Sequence, residues 1–461
     1  MSKILPVKVG LEVHCQLNFL STKLFCSCPI NNQNTSINAN TCPICRGLPG
    51  SLPDLNGDSI KKGLILGKAL KMNQVKELHF TRKHYFYPDL PKSYQITQSD
   101  GVIGKDGILP IKTKLIPIKQ IQLEEDPAKI IYSEDIKIID YNRSGTPLIE
   151  LVTDPVFTNE SEIKQFLRQY RRLLEYLEVC DTKKEGAFRV DLNISVGKHP
   201  RVEVKNIGSD TEIINAFHYE KKRQTSEQNK PNIKMETRHW DHKLQLSLKS
   251  REKESDIDYM YLPELDIPKI QIHESFSSEL TLPELPWETE ARLRKFYTLS
   301  EDQIAFLCDD QKLLEEYENL YKTFRNNEYF ISKFFWREYI RWYNSKNDVY
   351  RKRIKNINIS ELKALLTILE NDEITLNQFT KTIKLHVTKN KPLRYNKKLS
   401  QEKMSYEIVL EKIKTKYPNE WTRSYDNPNL LNYLVGQAMK ISNGELRPKK
   451  ILELLSERKK S

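Results

Sequence analysis

Two pairs of thiols, Cys26-x-Cys28 and Cys42-Pro-Ile-Cys45, stand thirteen residues apart near the start of the chain. Four soft sulfur donors in two tight pairs are what a closed tetrahedral zinc site requires, and the Asn-rich segment between them leaves the pairs free to converge. A set already complete at four leaves no open position for substrate, so the expected role is structural zinc. Free or redox thiols are the alternative. Five of the seven cysteines fall before residue 46, a clustering that argues for metal over a disulfide framework. Cys15 reads as a small buried apolar residue.

A second chemistry is offered by strand faces. Val7, Val9, Leu11, Val13, Cys15 and Leu17 alternate with Lys8, Gly10, Glu12, His14 and Gln16. Period two therefore sets Glu12 and His14 side by side on the polar face. Val190, Leu192, Ile194 and Val196 alternate in the same way with Arg189, Asp191, Asn193 and Ser195. Two strands of one sheet would present Glu12, His14 and Asp191 together, a donor set suited to a divalent cation; a merely solvated polar face is the alternative. The acidic run Leu123-Glu124-Glu125-Asp126-Pro127 closes another alternating segment. Adjacent carboxylates repel unless a cation or strong donors sit among them, so it reads either as metal-facing or as a solvated turn.

Between these segments, Arg82-Lys83-His84-Tyr85-Phe86-Tyr87-Pro88-Asp89-Leu90-Pro91-Lys92 mixes cations, aromatics and prolines with neither helical nor strand period. Such a loop can stack a base or an adenine ring and neutralise phosphate; packed surface tyrosines are the alternative. Gly63 to Lys68 imitates a phosphate loop, but three residues separate its glycines instead of four and Ala69 stands where Ser or Thr should be, so it reads as helix. No Gly-x-Ser-x-Gly occurs, which argues against an amidase nucleophile on this chain.

The elements that must position these groups change character along the chain. To about residue 280 short alternating segments broken by Gly, Pro and Asn predict antiparallel strands. One helix interrupts them, with Asn159 as cap, Ile163, Phe166, Leu167, Tyr170, Leu173, Leu174 and Leu177 at helical spacing, and Arg168, Arg171 and Arg172 on its polar side. After the proline-rich LPELPW the text becomes helical and charged. The reading is an α+β chain with three parts: a sheet domain over 1–285 with the cysteine insert at 26–45, a helical domain over 286–396, and a small helical tail over 397–461. In the tail Leu430, Leu431, Leu434, Val435 and Ala438 share a helix face, and a last helix runs into Arg458, Lys459 and Lys460. Lys and Arg exceed Asp and Glu by 74 to 62, a formal charge of +12 over 461 residues, which favours a polyanionic partner such as nucleic acid. The absence of a long apolar run or a secretory start predicts a cytoplasmic protein.

Taken together, Gly10-Leu-Glu-Val-His14, the two cysteine pairs, the Arg82 to Lys92 segment, Leu123-Glu-Glu-Asp126, Asp140-Tyr-Asn-Arg-Ser-Gly145, Thr237-Arg-His-Trp-Asp241 and Leu434-Val-Gly-Gln437 resemble the B subunit of the heterotrimeric Asp/Glu-tRNA amidotransferases. The tail resembles the YqeY family. The resemblance implies a cradle that receives the charged end of tRNA(Asn) or tRNA(Gln) misacylated with Asp or Glu. ATP phosphorylates the side-chain carboxylate there, and ammonia from the amidase (A) subunit displaces phosphate, with a small C subunit completing the heterotrimer. By motif position it assigns magnesium to Glu12, His14, Glu125 and Asp191, with Glu124 as a neighbour. It makes Glu125, Lys83 and Lys92 catalytic, the lysines on the ammonia path or near phosphate, and sets Arg82, Tyr85 and Tyr87 against ATP. In strict alternation Glu125 falls on the apolar phase of its strand, so it reaches that site only where the strand ends or bulges. The reading from a different class is a zinc-stabilised tRNA-binding scaffold whose chemistry lies on other chains.

Overall fold

The structure, a computed structural model, describes the chain except residues 1–4, 31–34, 134–135, 229, 253–259, 326–329, 395–404, 426, 443, 445 and 458–461; the expected basic end, Arg458 to Lys460, lies outside the described residues. The chain divides into two compact units, Met1–Asp309 and Asp310–Ser461. The first unit thus runs past the expected boundary at 285, and the expected boundary between 396 and 397 falls inside the second.

Among the described residues sixteen strands belong to the first unit. In chain order they are β1 (Val7–Gln16), β2 (Asn73–Gln74), β3 (Glu77–Leu78), β4 (Thr81–His84), β5 (Tyr94–Thr97), β6 (Gly104–Pro110), β7 (Leu115–Glu125) and β8 (Lys129–Ser133). There follow β9 (Ile136–Asp140), β10 (Pro147–Thr153), β11 (Phe188–Val196), β12 (Val202–Ile207), β13 (Glu236–Asp241), β14 (Leu246–Glu252), β15 (Met260–Pro263) and β16 (Ile270–Gln271). Nine of them form one sheet in the order β14-β13-β12-β11-β1-β10-β7-β6-β2, so the first strand of the chain lies at the middle. The antiparallel expectation fails at one pair: β12 and β13 run parallel. Helix α3 (Asp210–Ser226) joins them, and a connection of that length is what parallel neighbours need.

Helices α1 (Gly57–Ala69), α2 (Glu160–Tyr176) and α3 bury their apolar stripes in one core with the odd-numbered side of β1, where Val9, Leu11, Val13 and Cys15 are fully buried. Asn159 caps α2 by accepting from Glu162 N at 3.1 Å. Among the arginines of α2, Arg168 stays exposed and Arg171 half-buried, but Arg172 is drawn out of the solvent. Arg172, 5% exposed, pairs with Glu290 at 2.5 Å and Asp309 at 2.6 Å, while Arg168 also grips Asp309. They thereby tie α5 (Pro286–Phe296) and the end of α6 (Glu301–Cys308), which follow the short α4 (Glu274–Glu279), onto the sheet domain. This explains why the proline-rich segment does not end the unit: Pro286 occupies the first turn of α5, where its missing N–H costs nothing.

The second unit is helical: α7 (Gln311–Phe324), a π-helical segment Phe330–Tyr339, α8 (Ile340–Tyr343), α9 (Asp348–Lys355), α10 (Ile359–Glu370) and α11 (Leu376–Lys389), then α12 (Tyr406–Lys416), α13 (Pro418–Arg423), α14 (Pro428–Ile441) and α15 (Pro448–Glu457). The last four keep a small core of their own, built on Val409, Ile413, Leu434, Ala438, Ile451 and Leu455. No helix among the described residues is long and apolar enough to cross a membrane.

Candidate functional site

Register decides which polar side chains meet. In the centre of the sheet Glu12 stands directly opposite Asp191 on β11, and His14 directly opposite Glu150 on β10. Next along, Glu150 faces Gln122 and Leu148 faces Glu124 on β7, while Asn193 faces Glu203 on β12. Directly opposed residues share a face, so all these groups line the side of the sheet turned away from the apolar core. They form two trios whose donor atoms lie within 4.8 Å of one another, His14 with Glu124 and Glu150, and Glu12 with Asp191 and Glu203. Because Glu12 and His14 are two apart on one strand, the trios are neighbours, roughly 7 Å along the strand.

The electrostatics of the face are those of an acid-rich site with incomplete compensation. His14 Nε2 lies 3.5 Å from Glu124 and 3.8 Å from Glu150. Burial first, and then the charge of Glu150, pushes the Glu124 carboxyl up to about 7. Burial first, and then Glu12, raises Glu150 likewise to about 7. Gln122 Nε2 donates to Glu150 at 2.8 Å. In the second trio Lys205 Nζ bridges Asp191 at 3.2 Å and Glu203 at 2.8 Å; burial opposes its charge, but Asp191 and Glu203 hold it above the ordinary lysine range. Asn193 donates to Glu12 at 2.9 Å while its Oδ1, buried, finds no donor. A divalent cation suits this donor set: hard oxygens in one trio, oxygens with an imidazole in the other, and an orphaned amide oxygen beside them.

Glu125 stands outside both trios. It ends β7 opposite Pro147, on the other phase from Glu124, and beyond the reach of β6 this end of β7 lies against β5. There its Oε1 accepts from Lys92 Nζ at 2.5 Å and from Ile96 N at 2.9 Å. The expected grouping of Glu125 with Glu12, His14 and Asp191 therefore does not occur, for the reason of phase: the strand ends without a bulge that would turn the side chain over. Lys83 leans toward the acidic face from β4; burial works against its charge, yet Tyr261, Glu124 and Glu150 leave it net raised. Arg82 is held by Glu264 through two hydrogen bonds of 2.8 Å and by Asp266, so its charge is already matched. Tyr85 donates to Gln95 at 3.2 Å and meets Tyr87 edge-on, with Phe86 and Tyr87 exposed.

The four paired cysteines converge: Cys26, Cys28, Cys42 and Cys45 place their sulfurs within 4.8 Å of one another, as the chemistry of a tetrahedral thiolate site demands. Cys45 is shifted down to about 4, chiefly by its hydrogen bond with Cys26 and against burial.

Comparison with known proteins decides the family. A family model described as the GatB/GatE catalytic domain matches residues 7–278, and one described as the GatB domain matches 315–458. The B subunit of aspartyl/glutamyl-tRNA(Asn/Gln) amidotransferase from Saccharolobus solfataricus is 37% identical over 98% of this chain and 99% of its own. The chain belongs to this family. A member of the same name from Mycoplasmopsis agalactiae is 35% identical over 97% of both chains, and one from Methanosarcina barkeri is 41% identical over 68% of this chain and 66% of its own. As a member of that B-subunit family the chain is a ligase component, an amidotransferase of translation. Within that family framework the sequence reading missed Glu150, Glu203 and Lys205. The signal was present: Glu150 is the lone charge in the apolar strand Pro147-Leu-Ile-Glu-Leu-Val-Thr153, and Glu203 and Lys205 alternate with Val202 and Val204.

Proposed function

We propose that this chain activates the side-chain carboxylate of Asp or Glu carried on the wrong tRNA by ATP-dependent phosphorylation, and then amidates it with ammonia from an amidase (A) subunit. A small C subunit completes the cytoplasmic heterotrimer. The supporting observation is the pair of acidic trios at the middle of the sheet. A carboxylate is a poor electrophile and an acyl phosphate a good one, and phosphoryl transfer needs neutralised charge and alignment more than covalent help. On this reading Glu12, Asp191 and Glu203 hold one divalent cation, magnesium, and His14, Glu124 and Glu150 hold another, magnesium or the softer manganese. Bound there, the cations neutralise the charge of transferring phosphate. Lys83, already leaning over the acids, steers anionic substrate to that face. Lys92 orients Glu125 through their direct ion pair, and the pair can take and return a proton of the incoming ammonia. Tyr85 and Tyr87 offer aromatic surface to a base. The four cysteines hold a structural zinc.

The test is reconstitution with the A and C partners and assay of ATP turnover dependent on Asp-tRNA(Asn) or Glu-tRNA(Gln). Glu12→Gln should lower that turnover on the order of 100-fold, the scale of a lost metal clamp, while tRNA binding stays near the parent level. A wild-type rate in Glu12→Gln would leave the chain as a zinc-stabilised scaffold with the chemistry elsewhere.

A further inference from the structure

Among the described residues Lys23 is the largest charged side chain withdrawn completely from solvent. Its ammonium has three donors, and all three are spent: on Asn40 O at 3.0 Å, on Tyr141 O at 3.1 Å and on Cys45 Sγ at 3.4 Å. Two of these acceptors are neutral carbonyls, and no carboxylate pairs with Lys23 among the described residues. A buried ammonium without an opposite charge is among the costliest things a fold can contain. Four thiolates around one zinc carry a net double negative charge, and that charge lies within hydrogen-bond reach. We infer that Lys23 is the buried counter-cation of the four-sulfur site, so that zinc and lysine each need the other.

The inference rests on the zinc reading above and extends it beyond the four ligands, as outer partners commonly govern a metal site. It also gives the site a reach. Tyr141, which Lys23 grips, opens the turn that ends in Gly145, and Ser144 Oγ donates to Cys45 O at 3.0 Å. Gly145 N donates to Asp126 O at 2.9 Å. Asp126 in turn holds Arg189 at 2.8 Å and Gln16 at 3.1 Å, on the two strands that carry Asp191 and His14. The thiolate site is thereby stitched to the acidic face.

A four-way comparison tests this: full-length parent and Lys23→Met, each zinc-loaded and chelator-stripped. Competition with a chromophoric chelator should show zinc held at least about tenfold more weakly in Lys23→Met. Its thermal midpoint should fall below the parent's when loaded, and match or exceed the parent's when stripped, because the stripped parent keeps an uncompensated ammonium. Equal losses in both states, the signature of a lysine that only ties carbonyls together, overturn the inference. If Lys23→Met is insoluble, Lys23→Arg decides: zinc affinity within about threefold of the parent supports the charge, and a tenfold loss overturns it. A parent that binds no zinc defeats the zinc reading itself; a zinc-binding parent with unchanged affinity in Lys23→Met defeats only the role given to Lys23.

Discussion

Replacing Glu150 by glutamine tests whether the acidic face is built for a cation. The carboxyl sits under 13% side-chain exposure and is raised from 4.5 to about 7, by burial first and by Glu12 second. In the unfolded chain the group gives up its proton near the ordinary value, whereas in the fold it does not until about pH 7. Folding is therefore increasingly penalised as pH climbs through that window, and the penalty is complete above it. A rise of that size corresponds to at most about 3 kcal/mol, of which about 2–3 kcal/mol develops between pH 5 and pH 8. Glutamine fills the same space, can still accept from Gln122, and carries no such penalty. In urea unfolding of EDTA-treated protein, the variant should thus gain on the parent by about 2 kcal/mol between those two pH values. Added manganese should reverse the ranking at pH 8, stabilising the parent and leaving the variant nearly unmoved, since mass action acts only where the folded state binds. Parallel stability profiles without metal would refute the electrostatic reasoning. Equal stabilisation of both proteins by manganese would remove Glu150 from the ligands.

Two further outcomes follow from the contacts. Lys92→Met leaves the Glu125 side chain buried with, among the described residues, the Ile96 N–H as the remaining hydrogen-bond donor to it, so it should cost about 3 kcal/mol of stability at neutral pH and much less in Lys92→Met/Glu125→Gln, measured as a double-mutant cycle. Arg172→Met removes the buried tie from α2 to Glu290 and Asp309; a loss of about 3 kcal/mol, accompanied by new proteolytic cleavage around residues 286–309, is the expected result, and unchanged protease resistance counts against the tie.

What the sequence disclosed and what it withheld have physical reasons. Alternation along Val7–Gln16 fixes which side chains share a face, so the strand and its buried side are legible without a structure. Alternation says nothing of neighbours, because pairing is a long-range choice; hence the meeting of His14 with Glu150 could not be read. Glu150 and Glu203 also hid in plain view, for a single charge in a Val- and Leu-rich strand weighs little in any pattern of hydropathy. The phase of Glu125 was legible, and its consequence, separation from Glu124, is what the registers display. Arg172 read only as one more residue on the polar side of α2 because its partners, Glu290 and Asp309, lie more than a hundred residues on. The four-sulfur cluster was the easiest feature to foresee, since donor type and spacing alone specify it.

The strand that bears Glu12 and His14 meets its partners late. Cys15 touches a residue 134 positions downstream and Glu12 one 181 positions downstream. At roughly 5–20 residues per second of synthesis, the first strand leaves the ribosome on the order of ten seconds before anything exists for it to pair with. Throughout that interval a stretch of Val, Leu and Cys is open to wrong partners, and the charged and polar Lys8, Glu12 and His14 that alternate with it break up an otherwise continuous apolar run.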